Sequence, residues 1–225
     1  MSKVEEMAEA FGQLVGVLDR LMGPNGCPWD RKQTLASTRH GAVEEMFELV
    51  EAIDLGDKEK IQEEIGDVLH NAVFLAQLGE KEGLFQAAAV IHTLKEKLIR
   101  RHPHIFENVG LETTTQALHE RWEEIKSSEP GNAHRTRALD GIPKDLPALA
   151  RAEKVMGKLV KAKCLPKTEP QPPLFASEED LGEALWELMR EGKASGFHAE
   201  DALRKWVSKL ERAFRKEESE KEGGK

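Results

Sequence analysis

The hydrophobic residues recur every three or four positions in five segments before residue 127, which is the spacing of amphipathic helices. Alternation of β-branched and polar residues, the mark of a strand, is absent from the sequence. We therefore predict an all-α protein. The five predicted helices cover about 11–21, 43–55, 61–79, 86–101 and 114–126. Thr113 or Thr114 is the expected N-cap of the fifth helix.

The pattern changes after the fifth helix. Residues 127–147 hold three prolines, two glycines and no clear period, so they predict a linker or an extended arm. Three further helices are predicted over about 147–162, 177–191 and 199–218, with a proline-rich break at 165–176 between the first two. The expected organisation is a first helical domain over 1–130, a linker over 131–147 and a second helical domain over 148–225.

The charge balance and the cysteine content narrow the class of protein. The 225 residues carry 33 Lys and Arg against 41 Asp and Glu, a formal net charge of -8. An acidic chain is a poor binder of nucleic acid or anionic membrane. The longest apolar run is far below the ~20 residues that span a bilayer, and the acidic N-terminal segment lacks the apolar stretch of a signal peptide. Two cysteines are too few for a disulfide framework. We expect a soluble, cytoplasmic protein without a nucleic-acid or membrane partner.

Acidic residues are concentrated where the second and third helices are joined. Residues 44–67 contain ten carboxylates and two lysines. Glu45 and Glu48 lie three residues apart on the second helix, as Glu64 and Asp67 do on the third, so each pair shares a helix face. A turn at Gly56 lets the two helices fold back and bring the four carboxylates together.

Such a cluster is unfavourable without a cation, because like charges at short range repel. Mg²⁺ takes oxygen ligands, and the absence of His and Cys from the cluster disfavours zinc. A solvated acidic helix face remains the alternative interpretation.

Cationic and aromatic side chains supply candidates for substrate binding. Lys97, Arg100 and Arg101 end the fourth helix and suit anionic oxygens, although their charges also suit a helix C-terminus. Beside a metal site they favour a polyphosphate substrate. Trp29 and Trp122 are candidates for stacking on a base; packing inside the protein is the alternative.

Five motifs, taken together in this order, closely resemble the MazG family. They are Gly26-Cys27-Pro28-Trp29-Asp30-Arg31-x-Gln33-Thr34, Glu44-Glu45-x-x-Glu48, Glu63-Glu64-Ile65-Gly66-Asp67, Glu96-Lys97-Leu98-Ile99-Arg100-Arg101-His102-Pro103-His104 and Trp122-Glu123-x-Ile125-Lys126. The resemblance covers about 5–165, and 177–218 more loosely. It implies an all-α nucleoside triphosphate pyrophosphohydrolase whose helical bundle forms a homodimer.

The resemblance also implies residue roles. Mg²⁺, with Mn²⁺ as a substitute, would be held by Glu45, Glu48, Glu64 and Asp67, and Glu44 joins the catalytic carboxylates with its role left open. The nucleotide would be held by Lys97, Arg100, Arg101 and Trp122, with Trp29 and Asp30 near the base. Metal-activated water would attack the α–β phosphoanhydride and release a nucleoside monophosphate and pyrophosphate.

The C-terminal half departs from the two-domain members of the family. It has no Glu-Glu-x-x-Glu motif, and Asp180-Leu181-Gly182-Glu183 resembles the second motif with its acids exchanged. We expect a degenerate second helical repeat that packs but does not catalyse. Two alternatives stay open: a phosphoribosyl-ATP, dUTP or dCTP pyrophosphohydrolase of the same superfamily, and a non-catalytic helical regulatory protein.

Overall fold

The computed structural model describes residues 1–107, 114–132, 137–165 and 174–223. Within these ranges the chain is helical and contains no strand, so the predicted all-α class is confirmed. The chain divides into two compact units, residues 1–122 and 123–225. In the described part of the chain, every helix is too short or too polar to cross a membrane.

The first unit is built from helices that begin at capping residues. Ser2 and Thr34 each form a capping box, and the Asp57 carboxylate accepts hydrogen bonds from two backbone N–H groups of the following helix. These caps satisfy N–H groups that a helix start leaves unpaired. The helices are α1 (Lys3–Met22), α2 (Leu35–Leu55), α3 (Lys58–Lys81), α4 (Ala87–Arg101), α5 (Pro103–Phe106) and α6 (Thr115–Ser128), the last of which continues into the second unit.

Helices α2 and α3 form the closest helix pair of the first unit. Gly56 ends α2 with a φ of 67°, a left-handed conformation that glycine adopts without strain. Only Asp57 then separates it from α3, so the two helices run back along each other, and Ala52 is fully buried between them. α3 also packs against α1 and α4. It is therefore the central helix of the unit.

The second unit contains α7 (Ala148–Lys161), α8 (Glu178–Ala194) and α9 (Ala199–Gly223). Its core consists of Leu139, Val155, Leu159 and Val207. α7 packs mainly on α9. Short 3-10 turns occupy Asp30–Lys32 in the first unit and Pro130–Asn132 in the second.

All eight predicted helices are present. The largest differences are at α1 and α2, each of which begins eight residues before its predicted start, because Ser2 and Thr34 cap polar first turns that carry little apolar period. Thr114 Oγ1 accepts from the Ala117 N–H, as expected of an N-cap, whereas Thr113 lies outside the described residues. So do residues 133–136 of the predicted linker and 166–173 of the proline-rich break. The short helix α5 was not predicted, because Pro103 indicates only where α4 must end.

Candidate functional site

Three carboxylates converge between α2 and α3. Glu45, Glu48 and Glu64 each offer one oxygen, and these oxygens lie within 4.8 Å of one another. Glu48 is exposed, Glu45 is half-buried and Glu64 is only 3% exposed. The site therefore has a buried floor and an open mouth, an arrangement that an ion and a ligand can reach from solvent.

Asp67 lies outside this close group but acts on it electrostatically. Partial burial of Glu45, followed by the negative charge of Asp67 and then of Glu48, raises the pKa of the Glu45 carboxyl above its usual value. Glu44 makes the smallest contribution to this increase. The repulsion shows that the cluster is short of positive charge, and a bound cation would relieve it.

A lysine supplies part of that charge. Lys60 Nζ lies 3.3 Å from Glu64 Oε1, one helical turn away on α3. The ion pair raises the pKa of Lys60 above its usual value. Because the Lys60 side chain is 48% exposed, solvent screens the pair, so the ammonium can give way to another cation.

The donor set fits a hard divalent metal ion. All ligand atoms of the three-carboxylate group are carboxylate oxygens. Mg²⁺ prefers oxygen ligands and keeps part of its water shell, so a site with an open mouth suits it. Zinc sites normally use His or Cys, and this group has neither.

The cationic residues predicted to bind phosphate lie on the end of α4 that is far from its turn with α3, and the carboxylates of α3 likewise lie far from that turn. The turn between α3 and α4 is short, so α4 runs back along α3. Asp67 lies fourteen residues before the end of α3, and Arg101 lies fourteen after the start of α4. Both distances are about 21 Å at 1.5 Å per residue. Lys97 and Arg100 lie on the last two turns of α4.

Arg101 and Trp122 are in contact. The Arg101 guanidinium carbon lies 5.1 Å from the centroid of the Trp122 ring, a cation–π distance. The His119 ring lies one turn earlier on α6 and is nearly parallel to Trp122, at 6.3 Å and 17°. The structure therefore places an aromatic pair beside a predicted phosphate-binding arginine.

Trp29 and Asp30 are not brought to this place. They lie in the loop between α1 and α2, which Lys81 holds at the C-terminal end of α3 through its bond to the Arg31 carbonyl. That end is about 21 Å along the helix from Asp67. Within one chain, the predicted site residues thus form two separate groups.

In the second unit, Asp180 of the altered second motif stabilises the start of a helix. The Asp180 carboxylate accepts hydrogen bonds from the Ala176 and Ser177 N–H groups at the start of α8. Among the described residues, the three-carboxylate group of the first unit is the one metal-type cluster found. Asp180 and Glu183 therefore lack the partners that a metal site needs.

Sequence reasoning missed Lys60, His119 and Lys81. The first two could have been found, because each lies one helical turn from a predicted site residue, Glu64 and Trp122 respectively. The role of Lys81 had no sequence signal, since its partners are backbone carbonyls about fifty residues away.

Comparisons with known proteins agree with this geometry. A family model described as the MazG nucleotide pyrophosphohydrolase domain matches residues 33–106, which include all the clustered carboxylates. The nucleoside triphosphate pyrophosphohydrolase of Escherichia coli (strain K12) is 34% identical over 227 residues, covering 92% of this chain and 86% of that protein. The Thermotoga maritima protein named nucleoside triphosphate pyrophosphohydrolase/pyrophosphatase MazG is 34% identical over 238 residues, covering 98% and 91%.

Two further matches are partial. YabN of Bacillus subtilis, an uncharacterised protein, is 44% identical over 145 residues, and this chain spans only 29% of its length. The crystal structure of a mazG-related protein from Thermotoga maritima covers 52% of this chain and 98% of its own, with 24% identity and a TM-score of 0.46.

Proposed function

The chain belongs to the MazG family of nucleoside triphosphate pyrophosphohydrolases, and we propose that the carboxylate cluster between α2 and α3 is the centre at which it hydrolyses nucleoside triphosphates to nucleoside monophosphate and pyrophosphate. The observation that carries this proposal is the convergence of Glu45, Glu48 and Glu64 within 4.8 Å. The family model covers this region, whereas the second unit lies outside it.

The metal that fits this centre is Mg²⁺, with Mn²⁺ as a substitute. Glu45, Glu48 and Glu64 would hold it, and Asp67 completes the charge of the site. When bound, Mg²⁺ lowers the pKa of a coordinated water and screens the phosphate oxygens. Glu44 belongs to the proposed catalytic carboxylates, because its negative charge contributes to the raised pKa of Glu45.

The cationic end of α4 is proposed to bind the triphosphate. Lys97, Arg100 and Arg101 offer positive charge near the C-terminal end of α4, and such side chains bind phosphate oxygens through charge-assisted hydrogen bonds. Trp122 extends this surface with an aromatic ring that Arg101 already contacts. Arg100→Ala should therefore raise the KM about tenfold or more and leave kcat nearly unchanged, since one charge-assisted hydrogen bond is worth about 1.5–3 kcal/mol. Lys95→Ala is the matched control, with steady-state kinetics as the readout.

We also propose that the protein is a cytoplasmic homodimer. α2 exposes a row of large apolar residues on the surface around the carboxylates, each 48–61% exposed: Val43, Met46, Phe47, Val50 and Ile53. Monomeric proteins rarely leave so large an apolar patch uncovered. A second copy of the same chain covers it, in line with the bundles that the family resemblance implies.

The domain assignment is a proposal as well. Residues 1–130 form the catalytic domain, 131–147 the connecting arm and 148–225 a degenerate repeat. This assignment is supported by the role of Asp180 in the capping box of α8 and by the absence of a second metal-type cluster from the described residues.

Product analysis tests the proposed function. Incubation with ATP or dCTP and Mg²⁺ should yield the monophosphate and pyrophosphate by chromatography or ³¹P NMR, and EDTA should stop the reaction. Diphosphate with orthophosphate as products, or turnover that EDTA leaves unchanged, would contradict it.

A further inference from the structure

Helix α6 contributes residues to both compact units. Trp122 is the last residue of the first unit, and Glu123 is the first residue of the second. None of the fourteen residues of α6 is buried. Helices in proteins are usually fixed by the packing of an apolar face. The position of α6 therefore depends on the contacts of side chains such as Trp122 and Glu123.

Glu123 is bound by two lysines, one at each carboxylate oxygen. Lys126 Nζ, from α6 itself, donates to Oε1 at 3.0 Å, and Lys161 Nζ, from the last residue of α7, donates to Oε2 at 2.8 Å. Burial alone would raise the pKa of Glu123, but the bonds to Lys161 and Lys126 outweigh it and lower the pKa to about 2. The carboxylate is therefore charged at neutral pH and keeps both bonds.

The two lysines differ in what they fix. Lys126 moves with α6, because it is part of that helix. Lys161 follows Leu159 by two residues, and Leu159 and Val155 of α7 lie in one core with Val207 of α9. The backbone of Lys161 is therefore held by the core of the second unit. Of the two lysines, Lys161 is the one that attaches α6 to another element.

An attachment at Glu123 also fixes the direction of Trp122. Neighbouring residues of an α-helix are related by a turn of about 100° and a rise of about 1.5 Å. A helix that cannot rotate at Glu123 cannot rotate at Trp122 either. The Trp122 ring is thereby kept beside Arg101, whose guanidinium carbon lies 5.1 Å from the ring centroid.

We infer that Glu123 and Lys161 are positioning residues of the nucleotide site: by fixing α6, they hold Trp122 where it meets the substrate. This inference rests on the proposed function, because it takes Trp122 to bind the nucleotide. It assigns the second unit a role in substrate binding, since α7 supports the helix that carries a substrate-binding side chain.

Steady-state kinetics of Lys161 variants tests the inference. Lys161→Ala should raise the KM about two- to fivefold, the range that the loss of an exposed ion pair allows. Lys161→Glu should raise it further, because its charge repels Glu123. The kcat and the Mn²⁺ affinity should stay unchanged in both variants, since the carboxylate cluster is intact. Lys161→Arg keeps the positive charge and should keep the KM near its wild-type value. Lys154→Ala, which removes an exposed lysine from the same helix, is the matched control.

Fluorine NMR detects the position of Trp122 without turnover. The full-length chain contains four tryptophans and can be labelled with 5-fluorotryptophan, each signal being assigned by a Trp→Phe variant. In Lys161→Glu the Trp122 signal should shift, because α6 is released from α7. The signal of Trp29, which lies in the loop between α1 and α2, should stay in place and serves as the internal reference.

Each outcome supports or overturns the inference. An unchanged KM in Lys161→Glu, an unshifted Trp122 signal, or an equal rise of the KM in Lys154→Ala overturns it. A wild-type protein that releases no pyrophosphate overturns the proposed function instead, and the Trp122 signal then still shows whether Lys161 fixes α6.

Discussion

The two units arrange their charged side chains in opposite ways: the first collects like charges, and the second pairs opposite ones. In the first, α2 and α3 bring three carboxylates within 4.8 Å, opposed by one half-exposed lysine. In the second, α7 and α9 bury an arginine, Arg151, which donates to both carboxylate oxygens of Glu211 and to the Pro143 carbonyl. A buried pair of opposite charges is complete in itself, whereas a cluster of like charges needs a cation from outside. Under the proposed function, the carboxylates of the first unit serve chemistry, whereas the buried pair of the second unit serves the fold.

The largest expected effect of a single substitution is on the first unit. Glu48→Gln or Asp67→Asn keeps the shape of the side chain and removes its charge, so each should lower the rate of pyrophosphate release by two or more orders of magnitude, as loss of a metal-positioning group does. Glu80→Gln, exposed near the end of α3, is the control. Near-normal turnover in Glu48→Gln would show that the cluster is not the catalytic centre.

The second unit should respond in stability. Arg151→Ala leaves Glu211 with an unpaired charge, and its side chain is only 12% exposed. Breaking a buried pair in this way costs about 3–5 kcal/mol, which thermal or urea unfolding would measure. Arg190→Ala breaks an exposed pair with Glu187 and should cost under about 1 kcal/mol. Equal losses in the two variants would refute the contrast between the units.

A smaller effect on the stability of the folded protein is expected when the pH is lowered. Partial burial alone would raise the pKa of Glu123, but its bonds to Lys161 and Lys126 dominate and lower it to about 2. A carboxyl with a lowered pKa in the folded state stabilises the protein above its ordinary value of 4.5, and this stabilisation is lost as the pH falls from there towards 2. Glu123→Gln should flatten the decline of stability over this range, as chemical denaturation at each pH would show. An unchanged decline would mean that another carboxyl is responsible.

The smallest expected effect is on the altered second motif. Because Asp180 completes the capping box of α8 with Ser177 and belongs to no metal-type cluster among the described residues, the double variant Asp180→Ala, Glu183→Ala should keep the turnover number within a few-fold of wild type. A modest loss of stability, about 1 kcal/mol for the lost cap, is expected in unfolding experiments. A loss of turnover like that of Glu48→Gln would move the active site to the second unit.

The helices and the convergence of the carboxylates could be predicted from the sequence, because both depend on local properties of the chain. The helical period and the i, i+3 spacing of the carboxylates can be read from short stretches of sequence. Only Asp57 separates Gly56 from α3, and so short a turn makes α2 and α3 fold back on each other. The placement of Glu45, Glu48 and Glu64 follows from those facts. The short helix α5 has too few residues to show a period.

The position of the Trp29 loop could not be predicted in the same way. It depends on hydrogen bonds from Lys81 to carbonyl groups about fifty residues away, and backbone carbonyls carry no sequence signal. The pairing of Lys60 with Glu64 could have been predicted from their spacing of four residues, but many such surface pairs contribute little to stability.

Metal binding by the full-length chain is the most direct test of the contrast between the units. Titration with Mn²⁺, followed by electron paramagnetic resonance, should show binding to the wild type and to the Asp180→Ala, Glu183→Ala variant with equal affinity. Glu48→Gln should lose most of that affinity, because it removes one of three clustered ligand charges. Undiminished binding in Glu48→Gln, or loss of binding in the double variant, would contradict the assignment of the catalytic centre to the first unit.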